Sequence, residues 1–383
     1  MTKSSVAATT DSRAESLPPA EQSQRLVSVD ALRGFDMFWI VGGESIVHAL
    51  RKINKTGFTK TLADQLTHKD WAGFAFLDLI FPMFVFIAGV SIVFSITKSL
   101  VTVGRLATIR RIILRSVILF LLGIIYSGGI SGGWEHVRVL GVLQRIALCY
   151  LFAGLLFCMF NARGLVVCCV TLLVGYWAAM SFVPVPEIGR GSFAKGANLA
   201  NYLDSKYLPG RKYDGTWDPE GLFSTLPAIV TCLLGVLAGI LLRNGKISNQ
   251  RKALWLIGAG LCSVALGFLW GLQFPVIKKI WTSSYVLVAG GYSAILLGVF
   301  YQVIDIWKLQ LWARPFVWMG MNAITIYMAH NLINFGSLSE RFVGGPIEKM
   351  AGRYGDLVVA GGAAALSFLL VWFLYRKKIF LRA

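Results

Sequence analysis

The chain has 383 residues, of which 56% are apolar and only 15% are charged, and its formal net charge is +18. A mean hydropathy of +0.65 excludes an ordinary soluble globular protein. The basic residues lie in short blocks at the ends of apolar runs, which is typical of membrane topology and not of a nucleic-acid-binding face. We therefore predict an all-α polytopic integral membrane protein whose partner is the lipid bilayer and which binds no nucleic acid.

Apolar runs long enough to cross about 30 Å of hydrocarbon recur along the chain. Residues 1–24 are rich in Ser, Ala, Thr and charge and lack the apolar core of a signal peptide, so we predict a disordered cytoplasmic tail there. Residues 25–383 are predicted to form one bundle of about ten transmembrane helices. The candidate spans are residues 35–50, 74–97, 110–127, 139–160, 164–183, 225–243, 252–271, 284–304, 315–333 and 356–375.

Three blocks of Lys and Arg, at 98–115, 243–252 and 376–382, fall on one side of the membrane when the chain is threaded through these spans. The positive-inside tendency places that side in the cytoplasm, together with both termini. The long loop 184–224 is then extracytoplasmic. All six cysteines lie within apolar runs and have no metal-ligand spacing, so we expect neither a disulfide framework nor a metal site.

The first predicted span contains ionisable residues, which are costly at membrane depth and therefore mark candidate sites. Asp30, Arg33 and Asp36 are three residues apart and share one helical face. Glu44 and His48 are four residues apart and are able to touch in the same way. A structural ladder of ion pairs and a polar functional site both explain this pattern.

The segment HKDWAGFAFLDLIFP, residues 68–82, places polar residues at the mouth of the second predicted span. If the segment is one helix, His68 and Asp78 are about 15 Å apart along its axis. We therefore do not expect them to form a direct pair, and we expect Asp78 to bond another helix. His68 has a side chain suited to proton transfer near neutral pH, although a loop histidine without such a role is the alternative.

Polar residues also occur in the fourth and ninth predicted spans. Arg138, Gln144 and Arg145 open the fourth span, and an arginine at that depth needs a carboxylate or an anionic ligand as its partner. Asp36, Glu44 and Asp78 are the candidate partners within the chain. Asn322 and His330 are eight residues apart in the ninth span. They either line a polar cavity or cap a helix interface.

Five segments in order resemble a known family. They are RLVSVDALRG (25–34), HKDWAGFAFLDLIFPMFVFIAGVS (68–91), VRVLGVLQRIALCY (137–150), WDPEGLFSTLPAI (217–229) and WMGMNAITIYMAH (318–330). Together they are similar to the transmembrane domain of the heparan-α-glucosaminide N-acetyltransferase family, which includes a lysosomal enzyme of animals and bacterial relatives. The resemblance implies that residues 25–383 form a transmembrane acyltransferase domain. Such an enzyme moves acetyl from cytoplasmic acetyl-CoA to an amino sugar of the glucosamine type on the far side of the membrane.

The resemblance also implies a catalytic centre. The family's His-x-x-Trp-x-Gly motif stands here as His68, Trp71 and Gly73, so His68 is expected to act as the base or as a transient acetyl carrier. The asparagine that assists it in the animal enzyme is replaced by Glu44. The other polar groups expected at the wall of the site are Asp36, Trp71, Asp78, Asn322 and His330.

The same resemblance implies a path for the donor. We expect Arg105, Arg110 and Arg111 to lie near the phosphates of acetyl-CoA, with Gln144 and Arg145 deeper along the channel. Positive-inside topology alone is the alternative explanation for these arginines. Acetyl-CoA is thus the expected donor, and no metal is expected.

The animal enzyme's luminal domain has no counterpart in this sequence, so we expect a multi-pass protein of the bacterial plasma membrane. Residues 128–136 contain no cysteine, so a homodimer is compatible with the resemblance but a disulfide-linked one is not expected. A transporter or exporter of a sugar or an anionic metabolite is the rival interpretation. The number of spans and the buried charges favour it, whereas the absence of a clear internal repeat speaks against it.

Overall fold

The computed structural model describes residues 26–53, 57–130 and 132–380, so the predicted tail at 1–24 lies outside it. Within these ranges the regular elements are helices, with four isolated β-bridges between loops, which confirms the all-α prediction. The α-helices are α1 (Val27–Phe38), α2 (Glu44–Ile53), α3 (Gly57–Gln65), α4 (Phe76–Tyr126), α5 (Val142–Met159), α6 (Ala162–Phe182), α7 (Leu199–Tyr207), α8 (Thr225–Arg243), α9 (Asn249–Gly271), α10 (Ser283–Phe300), α11 (Arg314–Met321), α12 (Ala323–Leu332), α13 (Phe335–Val343), α14 (Pro346–Ala351) and α15 (Gly355–Arg376).

Among the described residues, 7 helical segments are long and apolar enough to cross a membrane. This confirms a polytopic membrane protein, because a lone apolar helix of that length has no stable place in water. The segments are Phe76–Tyr126, Val142–Met159, Ala162–Phe182, Thr225–Arg243, Asn249–Gly271, Ser283–Ile306 and Pro346–Arg376.

Helix α4 contains two of the predicted spans, 74–97 and 110–127, joined at Gly104. This glycine has a φ of +80°, in the left-handed region that a residue without a Cβ adopts freely. Across the break, the Thr108 hydroxyl donates to Ser99 Oγ at 2.9 Å. Nine residues of straight helix would separate these groups by about 13 Å, so the chain folds back at Gly104 into two antiparallel arms.

The first and ninth predicted spans are interrupted. A π-helical turn, Trp39–Gly43, separates α1 from α2, and Asn322 separates α11 from α12. Each half is shorter than a membrane-spanning helix, and the predicted total of ten spans stays a prediction.

Close backbone contacts hold the helices around the first arm of α4 in a fixed register. A Cβ on Gly235 of α8 would lie 1.9 Å from the Phe86 carbonyl oxygen, and a Cβ on Gly239 would lie 3.0 Å from the Val90 carbonyl oxygen. Residue numbers increase in the same direction along the two helices, from the Gly235–Phe86 contact to the Gly239–Val90 contact, so α8 runs parallel to this arm. The largest buried apolar cluster joins these two helices to α5 and α10.

The bundle has a His68 end and a Gly104 end, and the three predicted basic blocks lie at the Gly104 end. One block follows Gly104 itself, and the second follows Arg243, where α8 ends beside the first arm of α4. Helix α15 begins next to α2, where Lys52 binds Asp356 at 2.6 Å, and ends at the other side with Arg376. The loops that carry the candidate site lie at the His68 end.

Candidate active site

His68 lies in a loop and not on the helix that follows it, because α3 ends at Gln65 and α4 begins at Phe76. The loop folds back, so that His68 Nδ1 lies 2.8 Å from Asp78 Oδ1. The expectation of a separation of about 15 Å is therefore wrong, since it assumed a continuous helix. The histidine and the aspartate form a direct pair.

The Asp78 carboxylate is held by the start of α4. Its Oδ2 accepts hydrogen bonds from the backbone N–H groups of Ala75 at 3.1 Å and Lys69 at 3.3 Å. The Ala75 N–H caps the start of α4 and has no partner within the helix, whereas the Lys69 N–H belongs to the His68 loop. A carboxylate in the first turn also interacts favourably with the helix dipole. Tyr285 of α10 donates to the Asp78 carbonyl oxygen at 2.7 Å. Asp78 is thus fixed from three directions and has no exposed side-chain surface.

The pair determines which nitrogen of the ring is available for chemistry. An ionised carboxylate only accepts hydrogen bonds, so the contact with Asp78 requires the ring proton on Nδ1. The lone pair then lies on Nε2. His68 in this tautomer is able to accept a proton or an acetyl group.

Lys278 is the third member of this cluster. Its Nζ lies 3.0 Å from His68 Nδ1 and 3.4 Å from Asp78 Oδ1. Burial lowers the pKa of the Lys278 ammonium, while the Asp78 and Glu220 carboxylates oppose that change. Lys278 is not among the residues predicted from the sequence, although the lysine pair within the apolar stretch FPVIKKIW (274–281) is a signal for it.

A backbone contact brings Lys278 to the histidine. The Gly73 N–H donates to the Val276 carbonyl oxygen at 2.9 Å, and Ala72 and Ile277 form an isolated antiparallel bridge. The loop before α10 is therefore paired with the loop that carries His68, although 210 residues separate Lys278 from His68.

His68 opens onto a cavity of about 580 Å³, which we call the His68 cavity. This volume is in the range of small-molecule sites. Polar and aromatic side chains from six separate segments converge on it. The ionisable members are Glu44, His68, Lys69, Asp70, Arg138, Glu220, Lys278 and Lys279, and the aromatic members are Trp39, Phe81, Tyr213, Trp281 and Tyr327.

Arg138 orders the wall opposite His68. It binds Asp218 through two hydrogen bonds, Nε to Oδ2 at 2.8 Å and Nη2 to Oδ1 at 2.7 Å, and Glu220 Oε2 through Nη2 at 2.6 Å. Burial raises the pKa of Asp218, but the hydrogen bonds and charge of Arg138 and two backbone N–H groups together outweigh it, so the net pKa is lowered. Burial raises the pKa of Glu220, and Arg138 opposes that change only in part. Arg138 thus pairs with Asp218 and Glu220, and not with any of the three carboxylates expected from the sequence.

The loop 184–224 covers the motif. Trp71 Nε1 donates to the Phe193 carbonyl oxygen at 2.8 Å, and the Trp71 ring meets Trp217 edge to face at 5.7 Å between centroids. Lys195 binds Asp70 at 2.9 Å. Trp71 therefore anchors the covering loop and does not line the His68 cavity.

Known proteins that are similar to this chain belong to one family. The family model described as "Heparan-alpha-glucosaminide N-acetyltransferase, catalytic" matches residues 25–266. The chain belongs to this family. A Homo sapiens relative named heparan-alpha-glucosaminide N-acetyltransferase is 30% identical over 96% of this chain, and a Mus musculus relative of the same name is 29% identical over 82%. The chain spans 60% and 56% of the lengths of these two relatives.

Glu44, which stands where the family's resemblance implies an assisting residue, lines the His68 cavity. Its Oε1 lies 3.3 Å from His48 Nε2, as the sequence spacing predicts. His48 faces a neighbouring cavity of about 350 Å³, which we call the second cavity. His330 also lines the second cavity and stacks on Phe335, so His330 lies apart from His68.

The charge ladder of α1 and two of the predicted wall residues, Asp36 and Asn322, lie among the packed helices. Arg33 pairs with Asp30 at 3.3 Å and donates to Ser91 Oγ, which confirms part of the predicted ladder. Asp36 is fully buried, and neither of its carboxylate oxygens has a hydrogen-bond partner among the described residues. Asn322 is buried between α11 and α12. Neither Asp36 nor Asn322 lines the His68 cavity.

The residues predicted to bind the donor separate into two groups. Arg145 is fully buried at the His68 end, where it donates to the Gly221 carbonyl oxygen at 3.1 Å and its guanidinium lies 4.9 Å from the Trp281 ring centroid. Gln144 donates to the Arg138 carbonyl oxygen at 3.3 Å. Neither side chain lines the His68 cavity. Both support its wall from behind.

Arg105, Arg110 and Arg111 form the second group and are exposed at the Gly104 end. Arg105 lies about 40 Å along the first arm of α4 from Asp78, and Arg110 and Arg111, on the returning arm, lie at a height of about 30 Å. Arg111 donates to Ser99 Oγ at 3.3 Å. As for metals, the described residues include no cluster of three or more His, Cys, Asp or Glu that is arranged to hold an ion.

Proposed function

We propose that this chain is a transmembrane N-acetyltransferase that moves acetyl from cytoplasmic acetyl-CoA to an amino sugar of the glucosamine type on the extracytoplasmic side. The observation that carries the proposal is the contact of 2.8 Å between His68 Nδ1 and a fully buried Asp78, at the wall of a cavity of about 580 Å³. That contact leaves Nε2 free to react. Family membership supports the reaction class, and the names of the two relatives support the acceptor class.

His68 supplies the chemistry that an amine acceptor needs. A sugar ammonium has to lose a proton before its nitrogen attacks a thioester, and Nε2 is able to take that proton. Attack of the nitrogen on the thioester carbon breaks the C–S bond, and CoA leaves as a thiolate that takes up the proton. Alternatively, Nε2 attacks the thioester carbon first and releases the CoA thiolate, and the amine then takes the acetyl group from the acetyl-imidazole. Acetyl-CoA supplies the activated acetyl group as a thioester. In both routes Asp78 holds the ring in the tautomer that exposes the Nε2 lone pair.

The cavity wall suits a sugar with a positive charge. The exposed Tyr213 ring is suited to packing against a sugar ring, and the carboxylates of Glu44 and Glu220 attract an ammonium group. Glu44 is therefore our candidate for the assisting residue. Arg138 fixes Glu220, so this carboxylate keeps its position when the acceptor binds.

A small apolar pocket adjoins the His68 cavity and supports a route for the donor. This pocket, of about 20 Å³, shares Ile40, Phe81, Val142 and Tyr327 with the His68 cavity and continues toward Phe84 and Ile146. A space of this size holds about one water molecule. We infer that the acyl-carrying arm of the donor passes here after the surrounding side chains move apart.

The charge distribution supports the proposed orientation. All three basic blocks lie at the Gly104 end, and the positive-inside tendency makes that end cytoplasmic. The phosphates of acetyl-CoA would then meet Arg105, Arg110 and Arg111, while His68 faces the other side. This orientation fits a multi-pass protein of a bacterial plasma membrane.

The test uses purified protein in detergent micelles with radiolabelled acetyl-CoA and free glucosamine. An enzyme transfers label to the sugar without a sealed compartment, and His68→Ala abolishes the transfer. A carrier does neither, but moves sugar into sealed liposomes. Uptake into liposomes without acetyl transfer in micelles, for any amino sugar tested, contradicts the proposal.

A further inference from the structure

Two groups of opposite charge contact the same ring nitrogen of His68. Asp78 Oδ1 lies 2.8 Å from Nδ1, and Lys278 Nζ lies 3.0 Å from it. An ionised carboxylate only accepts hydrogen bonds and an ammonium only donates them, so the two cannot bond one nitrogen at the same time. While Asp78 accepts the Nδ1 proton, the acceptor left for Lys278 is Asp78 itself, at 3.4 Å.

The carboxylate alone would favour the wrong state of the histidine. A buried carboxylate beside an imidazole stabilises the imidazolium, since an opposite charge favours the charged form of its neighbour. An imidazolium has no lone pair at Nε2 and accepts neither a proton nor an acetyl group. An ammonium bonded to the same carboxylate supplies the counter-charge, so a neutral ring is sufficient as its other partner.

We propose that Lys278 is a positioning residue for His68: as the counter-ion of Asp78, it keeps the ring neutral, with the proton on Nδ1 and a free lone pair on Nε2. The inference deepens the proposed function and rests on it for its role in transfer. Its charge arrangement rests on the geometry of the cluster alone.

Other charged groups face the ring and contribute to the same balance. Lys69 and Asp70 follow His68 in the loop, Glu44 faces it from α2, and Arg138 and Glu220 face it across the cavity. Most of them have a partner of opposite charge elsewhere, as Asp70 has in Lys195 and Arg138 in Asp218. Lys279 is bound by Asp214 at 3.0 Å. Lys278 shares its carboxylate with the histidine itself.

The experiment measures the protonation of His68 without using activity. Diethyl pyrocarbonate modifies the neutral imidazole, and the His68 side chain is 52% exposed, so the reagent has access to it. The full-length protein in detergent is modified over a range of pH, and the peptide that contains His68 is quantified by mass spectrometry. The midpoint of modification against pH is the readout.

In Lys278→Met the midpoint is expected to move upward by about one pH unit, because Asp78 then has only the imidazolium as its counter-ion. Lys278→Arg keeps the charge and is expected to keep the wild-type midpoint. In Asp78→Asn the midpoint is expected to move downward by a similar amount, because the ammonium then acts on the ring alone. The double variant Asp78→Asn, Lys278→Met removes both charges and is expected to return toward the wild-type value.

An unchanged or lowered midpoint in Lys278→Met overturns the inference. If that variant does not fold, Asp78→Asn decides, because an unchanged midpoint there contradicts the charge arrangement equally. The predicted midpoints in a protein without acetyltransferase activity would remove the proposed function and leave the role of Lys278 toward the ring intact. Acetyl transfer with unshifted midpoints would support the proposed function and remove the role of Lys278 toward the ring.

Discussion

His68 and His48 are exposed to the same extent, with 52% and 51% of their side-chain surface accessible, and each contacts a carboxylate. The carboxylates differ. Asp78 is fully buried, whereas 54% of the Glu44 side chain is exposed. An exposed pair is worth about 0.2–1 kcal/mol and holds neither partner in one orientation. A buried carboxylate fixed by backbone N–H groups acts as a rigid reference point for its histidine.

The lysines near the two histidines make the same distinction. Lys278 contacts the His68–Asp78 pair directly, at 3.0 Å and 3.4 Å. In the second cavity, Lys52 binds Asp356 instead and does not join His48 to its carboxylate. The presence of a histidine, an acid and a lysine at a cavity wall is therefore not sufficient for an acid–base site. What sets the His68 cavity apart is that all three groups meet.

Removing each histidine in turn tests most directly whether His68 and His48 differ in function. His68→Ala is expected to lower acetyl transfer by about 10² to 10⁴, the usual contribution of a positioned acid–base group, and further if His68 carries the acetyl group. Expression, monodispersity and acetyl-CoA binding should change little, because the side chain is half exposed. Transfer is measured with radiolabelled acetyl-CoA.

His48→Ala is the matched control, since its exposure and its contact with a carboxylate are similar. We expect it to retain transfer close to that of the wild type. If His48→Ala abolishes transfer and His68→Ala does not, the Glu44–His48 pair takes the catalytic role.

The second test compares the two carboxylates. Asp78→Asn is expected to lower transfer by on the order of 10², because an amide no longer secures the proton on Nδ1. Glu44→Gln removes an exposed carboxylate from the same cavity and is expected to cost less. Steady-state kcat values for the two variants check this order. A larger loss in Glu44→Gln would make Glu44 the principal partner of the reacting group.

A third prediction extends the contrast to stability. Asp204 of α7 is buried beneath the turn that carries Glu220, where it accepts from the Leu222 N–H at 2.8 Å. Burial raises the pKa of Asp204 from 3.8 to about 6. The folded protein then binds this proton more tightly than the unfolded chain, so the stabilisation is complete below pH 3.8 and is lost as the pH rises through about 6.

The difference between the two pKa values corresponds to about 3 kcal/mol as an upper bound. The melting temperature of the wild type should therefore fall between pH 4 and pH 7 by more than that of Asp204→Asn, which carries no such charge. Thermal unfolding in detergent at both pH values measures this. Identical pH dependence in the two proteins would contradict a buried, proton-binding Asp204.

The comparison of the two histidines also marks the limit of what the sequence predicts. Hydropathy identifies the long apolar helices because the bilayer demands about 20 apolar residues in a row. The i to i+4 spacing likewise predicts the contact between Glu44 and His48, which depends on one helix only. The His68–Asp78 contact depends on where α4 begins, because a helix that starts at Phe76 and not at His68 changes the separation from about 15 Å to direct contact.

Neither hydropathy nor helical spacing predicts the contact of Lys278 with His68. It reaches His68 through a backbone pairing between two loops that are about 200 residues apart, and no periodicity encodes that pairing. The partners of Arg145 were likewise not predictable from the sequence. Its burial was correctly expected, but its partners are a carbonyl oxygen, a hydroxyl and an indole ring, which a search for charged partners does not find.

The smallest expected effect concerns the other end of the bundle, where exposed arginines contrast with the buried groups around His68. Replacing Arg105, Arg110 or Arg111 by Gln is expected to raise the KM for acetyl-CoA about three- to tenfold, with little change in the KM for the acceptor or in kcat. A contact with a phosphate far from the reacting carbonyl contributes mostly uniform binding, so it changes KM and not the chemical step. The effect is small because exposed charges are screened by solvent and salt. It should therefore weaken further at 0.5 M salt, where the wild type and the variants converge.

Lys246→Gln, at the same end of the bundle but in the loop after α8, is the matched control for a general loss of positive charge. If all three arginine variants keep the wild-type KM for acetyl-CoA, these residues set only the orientation of the chain in the membrane, and the donor binds elsewhere.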